Sequence, residues 1–186
     1  MKKTGLKYLV VLLVLMATGG CEGLTGPKRT GKIQLSSQLF GTDSYYLFGY
    51  GYEQGEYYRY PFTGEPIPDI INEAIRVIEG GKVALLPGFN TPGQMNGFAL
   101  AGEFGNLEGA RNYYNEYLKV EDGLQFETIS DTVELYQVWI QQTVLGNYVK
   151  LLITDIQNYE LEAGAIYNEI TMEYTYQPDG SSTFPD

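Results

Sequence analysis

One short stretch of the chain, Gln54–Gly64, concentrates four aromatic side chains: Tyr57, Tyr58, Tyr60 and Phe62. Tyrosine combines an apolar ring face with a polar hydroxyl, so such a group can stack on a sugar ring or another flat ligand. Aromatic residues are also enriched in β-strands, where alternate side chains pack in the sheet. These four residues are therefore the candidate ligand-binding residues, and sheet packing is the alternative explanation for them.

Histidine is absent from the sequence, which removes several kinds of catalytic and metal chemistry. Ser-His-Asp and Cys-His catalysis, His-ligated zinc and bis-histidine haem all require it. Methionine can also bind haem iron, which makes Met95 and Met172 the residues to consider. Met172 occupies an inward position of an alternating strand, where core packing accounts for it. We therefore predict no cofactor.

Four carboxylates, Glu121, Asp122, Asp131 and Glu134, offer the oxygen ligands that calcium prefers. Their spacing is not that of an EF-hand loop, and acidic loop residues commonly only solvate a surface, so we predict no metal site. A carboxylate pair that hydrolyses a glycan is defined by distance in the fold rather than by spacing in the sequence. A hydrolase therefore stays open as an alternative, with no catalytic residue identified.

The single cysteine, Cys21, follows a segment with the composition of an export signal. Lys2, Lys3 and Lys7 precede an apolar run, Tyr8–Ala17, which has about half of the ~20 residues needed to cross a bilayer. A basic start, a short apolar middle and a small-residue exit are the three parts of a secretory signal peptide. A lone cysteine in an exported protein cannot form an internal disulfide, so it needs another explanation.

The tetrapeptide that ends this segment, Thr18-Gly19-Gly20-Cys21, resembles the lipobox of bacterial lipoproteins, with Thr18 in place of the usual leucine. The resemblance implies diacylglyceryl attachment to the Cys21 sulfur, cleavage after Gly20 and acylation of the new amino terminus, typically with palmitate. Several acyl chains hold a protein on a membrane far more durably than one. We therefore expect a lipid anchor in the cell envelope, on the outer membrane, with its periplasmic or surface face left open.

The formal net charge of −11 becomes three units more negative once the signal peptide and its lysines are removed. Such a surface repels the phosphates of nucleic acids, so we expect no nucleic-acid partner. The expected partners are the membrane, through the lipid on Cys21, and an envelope protein or glycan.

Apolar and polar residues alternate through much of the remaining chain, which predicts β-strands. Gln54–Gly64 is interpreted as an exposed loop or strand edge, and Gly146-Asn147 as a two-residue hairpin turn. The predicted strands are Lys32–Leu39, Asp43–Glu53, Phe98–Phe104, Leu135–Val144, Tyr148–Ile156 and Ile166–Tyr176.

Two further segments raise the question of helix. In Asp69–Leu86 the isoleucines have helical spacing and Asp69 could cap a helix, yet Gly80-Gly81 between apolar runs favours a hairpin over Ile75–Leu86. Asn106–Leu118 has the clearer helical pattern, with Asn106 as its N-cap. Its predicted inward residues are Leu107, Ala110, Tyr114, Tyr117 and Leu118.

These elements predict an α+β fold, predominantly an antiparallel and sandwich-like β-sheet with one packed helix. The expected organisation is a cleaved lipoprotein signal peptide over 1–20 and a lipidated tether over 21–31. A single β-rich domain follows over 32–178, with a polar tail over 179–186.

The arrangement from Lys32 to Pro185 is similar to small lipoproteins of the Bacteroidota. The segments that carry this resemblance are YYLFGYGY, PDII, FALAGEF, VWIQQTVLGNYVKLLITDI and ITMEYTYQPDG. The last strands also distantly resemble the haem-capturing HmuY-type lipoproteins, whose histidine ligands have no counterpart here. The resemblance implies a membrane-anchored lipoprotein with a non-enzymatic domain that binds a ligand or partner. The alternatives are capture of haem or another small ligand for a transporter, and a carboxylate-dependent hydrolase of envelope glycans.

Overall fold

A computed structural model describes residues 27–79, 82–161 and 166–185. The predicted signal peptide and Cys21 lie outside the described residues. Within these ranges the chain forms one helix, α1 (Leu107–Glu116), and eleven strands. The strands are β1 (Thr30–Ser36), β2 (Leu47–Gly51), β3 (Glu56–Tyr60), β4 (Ile71–Asn72), β5 (Ile75–Glu79), β6 (Lys82–Leu86), β7 (Phe89–Asn90), β8 (Phe98–Gly102), β9 (Val138–Gln142), β10 (Tyr148–Glu160) and β11 (Ile166–Gln177).

The largest unit is an antiparallel sheet of five strands in the order β1-β11-β10-β9-β8. Its register defines two ends. At one end, which we call the tether end, Thr30 begins β1 opposite Thr175, and Tyr148 begins β10 opposite Gln177 and Gln142. At the other, the far end, β1 finishes at Ser36 opposite Glu169, close to the start of β11 at Ile166. The predicted α+β class with a dominant antiparallel sheet is confirmed.

One face of this sheet forms the main hydrophobic core. Successive side chains of a strand point to opposite faces, so the inward set is every second residue. As predicted for β11, that set is Ile170, Met172, Tyr174 and Tyr176, all buried. A second β-layer made of the β2–β3 hairpin and the β4–β7 pair packs on the same core through Tyr50, Tyr52, Ile70 and Phe89.

The opposite face of the sheet is covered by α1. Asn106 caps the helix as predicted, because its side chain accepts a hydrogen bond from the Gly109 amide at 2.9 Å. Ala110 and Tyr114 pack on Val138 and Leu152 of the sheet. Of the predicted inward residues only Leu118 is exposed, because the helix has already ended at Glu116.

Arg111 of α1 forms a bidentate salt bridge with Glu173 of β11, which joins the helix to the sheet. Its two terminal nitrogens donate to the two carboxylate oxygens at 2.7 and 2.8 Å. The pair is half-exposed, so it fixes the position of the helix more than it stabilises the fold.

Gln54–Gly64 contains β3, which pairs with β2 alone among the described strands and is therefore an edge strand, one of the two interpretations of this segment. One turn prediction needs correction. The β9–β10 turn does not use Gly146-Asn147 as its central pair. The Gly146 amide donates to the Thr143 carbonyl, and Gly146 itself has φ of +80°. The turn therefore centres on Val144 and Leu145, and glycine closes it in the left-handed conformation that it adopts without strain.

The ambiguous segment is a hairpin. β5 and β6 pair from Ile75 opposite Leu86 to Glu79 opposite Lys82, as the hairpin interpretation predicted. Gly80-Gly81 lies outside the described residues. Asp69 does not cap a helix, because strands β4 and β5 follow it. Its side chain instead accepts a hydrogen bond from the Tyr52 amide at 2.8 Å.

The end of the chain, interpreted from its composition as a polar tail, packs against the helix side of the domain. Phe184 is buried beside Tyr117 and Ile140, and the Val120 amide donates to the Ser182 carbonyl at 2.8 Å. No helix within the described parts of the chain has the length and apolar character that a membrane crossing requires.

Candidate functional site

The four aromatic residues predicted as a binding cluster do not form one surface. They lie on β3 and directly after it, where successive side chains alternate between faces. Tyr58 is buried, whereas Tyr57 is about half-exposed. The Tyr57 ring packs edge-on against Tyr50 at 5.1 Å, and its hydroxyl bridges the Gln34 amide and carbonyl. Packing therefore accounts for Tyr57 and Tyr58, as the alternative explanation proposed.

Tyr60 contributes to a groove of about 680 Å³ at the far end of the sheet, which we call the tyrosine groove. The rings of Tyr45, Tyr46 and Tyr167 also line it, and Tyr45 is 63% exposed. The floor and walls are mainly apolar, and the size is that of a small-ligand site. The other residues that line the groove are Ser37, Gln38, Leu39, Leu47, Pro61, Ile71, Asn72, Glu73, Ala74, Leu85, Asn90, Leu161 and Ile166.

Polar groups of this tyrosine groove come from β4 and β7. Asn72 is fully buried and donates through Nδ2 to the Leu35 carbonyl and to the carbonyl and side-chain oxygen of Asn168. Its own Oδ1 is buried and has no hydrogen-bond partner among the described residues. A buried acceptor without a partner is costly and calls for an explanation. Beside it, the Asn90 amide donates to the Glu73 carboxylate at 2.6 Å.

Phe62 lies in an adjoining surface depression of about 530 Å³ that shares Tyr45 and Tyr60 with the groove. The Arg59 guanidinium lies over the Phe62 ring, 3.6 Å from its centroid, and forms a salt bridge with Glu65. The hydrogen bonds from Arg59 lower the pKa of the Glu65 carboxyl. This ion pair holds the loop after β3 against the groove, so Phe62 is a neighbour of the candidate site.

The four predicted carboxylates lie together along a second groove, of about 740 Å³, beside β8 and β9. Glu103 and Glu127 line it as well, which makes its wall strongly acidic. Within residues 27–79, 82–161 and 166–185, no group of three or more carboxylates converges closely enough to hold a metal ion. The four carboxylates considered in the sequence thus share one acidic surface, which we call the acidic groove.

The two methionines considered as haem ligands are in unrelated environments. Met172 is fully buried in the main core, and Met95 is 76% exposed on the loop between β7 and β8. A thioether enclosed by a packed core is inaccessible to a haem, so core packing accounts for Met172.

A cluster of buried tyrosines lies in the part of the main core toward the tether end. The hydroxyls of Tyr50 and Tyr174 lie 3.2 Å apart, and Tyr52 donates to the Gln141 side chain at 3.0 Å. Burial raises the pKa of Tyr50 and of Tyr52 above the usual value for a phenol. Groups that stay protonated in this way act as hydrogen-bonding structure rather than as acids or bases.

On the helix side, the buried Lys150 ammonium donates to the carbonyls of Tyr114 and Tyr117 at 2.6 and 2.8 Å. These carbonyls close the last turn of α1, where a cation is favourable. Burial lowers the pKa of Lys150 to about 8. Lys150 lines none of the grooves described above, and its contacts are those of a side chain that caps the C-terminus of α1.

Sequence reasoning found Tyr60 but missed its partners in the groove. Tyr45 and Tyr46 precede β2, Asn72 is in β4, and Tyr167 is near the start of β11. These residues are separated by up to about 120 positions, so no local spacing could have grouped them. The paired tyrosines at 45 and 46, just outside an aromatic strand, are the only local signal.

The chain matches no family model and no curated protein sequence.

Proposed function

We propose that this protein is a membrane-anchored lipoprotein of the cell envelope whose β-domain binds a ligand without catalysis. The ligand site is the tyrosine groove at the far end of the sheet, and its ligand class is a carbohydrate of the envelope. The membrane attachment is the acylated Cys21, as the lipobox resemblance implies.

One observation carries the assignment of the site. The tyrosine groove combines the exposed ring of Tyr45 and the partly buried rings of three further tyrosines with the polar pair Asn90–Glu73. Sugars present apolar ring faces together with hydroxyl donors and acceptors, so they match a surface that offers both. The Glu73 carboxylate and the Asn90 side chain would exchange hydrogen bonds with the hydroxyl groups of such a sugar.

Position supports the same interpretation. The chain enters the domain at Thr30, and the groove lies where β1 ends at Ser36. At about 3.3 Å per residue, those two points are separated by about 20 Å. A domain tethered through its amino terminus therefore presents the groove on the side away from the anchor.

Binding to an array of soluble bacterial-envelope glycans tests the ligand class, with the mature protein as probe. We expect Tyr45→Ala and Tyr167→Ala to weaken binding of any glycan retained by the wild type at least about tenfold, which corresponds to the loss of a stacking contact of ~1.4 kcal/mol. Tyr57→Ala is the matched control, because Tyr57 is an exposed tyrosine of the same hairpin that does not line the groove.

Equal losses in all three variants would assign the effect to the stability of the hairpin rather than to the groove. An array with no retained glycan would overturn the carbohydrate class. Hydrolysis of a retained glycan, abolished by replacing one carboxylate of the acidic groove, would favour the hydrolase alternative.

Cell fractionation tests the anchor separately. We expect the wild-type protein to remain with membranes and Cys21→Ala to be recovered in the soluble envelope fraction. If the variant stays with membranes as the wild type does, the lipid on Cys21 is not the attachment. Protease treatment of intact cells then tells which side of the membrane the domain faces.

A further inference from the structure

Two loops place three apolar side chains in solvent at the tether end. Met95 is 76% exposed, Leu145 is 73% exposed and Val144 is 51% exposed. Met95 belongs to the loop that leads into β8, and the other two form the centre of the β9–β10 turn. Isolated exposed apolar residues need no explanation, but several on adjacent loop tips can mark an interaction surface.

The two loops lie side by side. The Gln142 amide donates to the Gly97 carbonyl at 2.8 Å, which ties the base of one loop to the base of the other. A methyl group added at Gly93 would lie 4.0 Å from Val144 Cγ2. Met95, Val144 and Leu145 therefore project from one surface, which we call the apolar tip.

The apolar tip stands on a rigid base. Thr143 and Asn147 at the foot of the turn are buried, and the Asn147 amide donates to the Tyr176 hydroxyl at 2.8 Å. Tyr176 in turn donates to Glu53 at 2.9 Å. The exposed side chains are thus held by polar contacts beneath them, and no part of the described chain covers them.

The tether leaves the domain at this same end. Thr30 begins β1 opposite Thr175, beside the strand end from which the β9–β10 turn departs. Only the eight residues 22–29 separate Cys21 from Thr30. Lys28 and Arg29 are already held on the sheet, because their carbonyls accept hydrogen bonds from Tyr174 and Tyr176. The six residues 22–27 would span at most about 22 Å when fully extended and about 13 Å as a random coil.

We propose that the apolar tip docks on the lipid surface to which Cys21 is anchored, with Met95, Val144 and Leu145 entering the interfacial region of the bilayer. This inference rests on the proposed anchor. The short tether makes the contact intramolecular, so three side chains suffice where they would bind a membrane only weakly on their own. Docking fixes the tyrosine groove in an outward orientation.

Charge at the tether end is compatible with a lipid surface although the chain as a whole is acidic. Lys28 and Arg29 are exposed directly before β1. Asp179 lies near Arg29, and Glu53, Glu56 and Glu127 are further acidic residues of this end. The carboxylates of the acidic groove line the surface beside β8 and β9. The charge at this end is therefore mixed, and the docking depends on apolar contact rather than on attraction to anionic lipid.

The test uses the full lipidated protein in vesicles of phosphatidylethanolamine with a minor fraction of phosphatidylglycerol. Cys21 is the only cysteine and is blocked by acylation, so an introduced cysteine is the single reactive thiol. Leu145→Cys carries an environment-sensitive fluorophore at the apolar tip. Leu39→Cys carries the same fluorophore at the far end, where Leu39 is 60% exposed, and serves as the matched control.

We expect the label at 145 to shift to the blue and to be quenched severalfold more than the label at 39 by nitroxide-bearing lipids. A third reporter, Gln94→Cys, should show the same quenching. Replacing Met95, Val144 and Leu145 together by serine should reduce quenching at 94 to the level at 39, while circular dichroism stays unchanged.

Flotation of the vesicles separates the possible failures. Protein that does not float overturns the anchor and the docking together. Protein that floats with equal quenching at 145 and 39 overturns the docking and leaves the anchor standing. A blue shift at 145 that grows with protein density and is insensitive to lipid nitroxides assigns the apolar tip to contact between two copies, which also overturns the proposal.

Discussion

The two ends of the central sheet are built from the same strands and differ in what their connections present to solvent. At the tether end, Asn147, Tyr176 and Glu53 form a continuous set of hydrogen bonds, and the apolar groups are confined to loop tips. At the far end, tyrosine rings line an open groove. Each end also holds one buried amide oxygen without a hydrogen-bond partner among the described residues, Gln177 Oε1 at the tether end and Asn72 Oδ1 at the far end. A β-sheet can thus carry a closed, supporting end and an open, receptive end, according to the residues that its connections supply.

The largest expected effect is on the core that both ends share. Leu151→Ala should lower the free energy of unfolding by about 2–5 kcal/mol, because Leu151 is fully buried in the centre of the sheet and its truncation leaves a cavity. Urea unfolding followed by the fluorescence of Trp139, the single tryptophan, measures this loss. Labels at positions 39 and 145 should report the same midpoint as Trp139. Separate midpoints for the two labels would show that the ends unfold independently.

Alkaline pH should destabilise the whole domain through its buried tyrosines. Burial raises the pKa of Tyr50, Tyr52, Tyr114 and Tyr176 in the folded state above the unfolded value of about 10. Above that value the unfolded chain binds fewer protons, so stability present below pH 10 is lost as pH rises further. Urea unfolding at pH 9, 10 and 11 should show a steep decline beyond pH 10. A flat profile would contradict the raised pKa values.

The asparagines of the two ends should differ in the cost of their removal. Asn72→Ala removes the donor to three oxygens of Leu35 and Asn168 at the far end and should cost about 1–3 kcal/mol of unfolding free energy. Asn147→Ala removes the hydrogen bond to Tyr176 at the tether end and should cost about 1 kcal/mol. Equal costs in parallel denaturant titrations would remove this distinction between the ends.

Lys150 should give a smaller effect of the opposite sign to that of the tyrosines. Its pKa is lowered to about 8 in the folded state from 10.5, so between these values the unfolded chain binds more protons. Stability should therefore rise with pH in this window, until the tyrosines reverse the trend near pH 10. In Lys150→Met the rise between pH 7.5 and 9.5 should disappear. Its persistence in the variant would assign it to another group.

The smallest stability effects should come from the two exposed surfaces, where function is expected instead. Tyr45→Ala and Leu145→Ser should each change the free energy of unfolding by less than about 0.5 kcal/mol, since both side chains are largely exposed. Tyr45→Ala should reduce only glycan binding, and Leu145→Ser only lipid contact. A variant that alters both readouts would show that the two ends are coupled.

Local pattern predicted much of the fold. The alternation in β11 identified its core residues, the glycine pair favoured the β5–β6 hairpin, and Asn106 marked the start of α1. Local pattern misplaced the β9–β10 turn, because the choice between a central and a closing glycine depends on the register with which β9 and β10 pair. It also merged Tyr57 and Tyr58 with Tyr60 and Phe62, since alternation alone does not tell which face another layer will cover.

The sequence by itself determined the class of the fold, its acidic charge and the absence of histidine chemistry, since these depend on composition and on short periods along the chain. It also predicted the localisation of the protein to the cell envelope, from the segment that ends at Cys21. Only the tertiary structure decided which tyrosines meet in a groove and which residues share an end with Thr30. Both outcomes depend on the pairing of distant strands, which brings residues such as Tyr45 and Tyr167 together although nothing in their local sequence relates them.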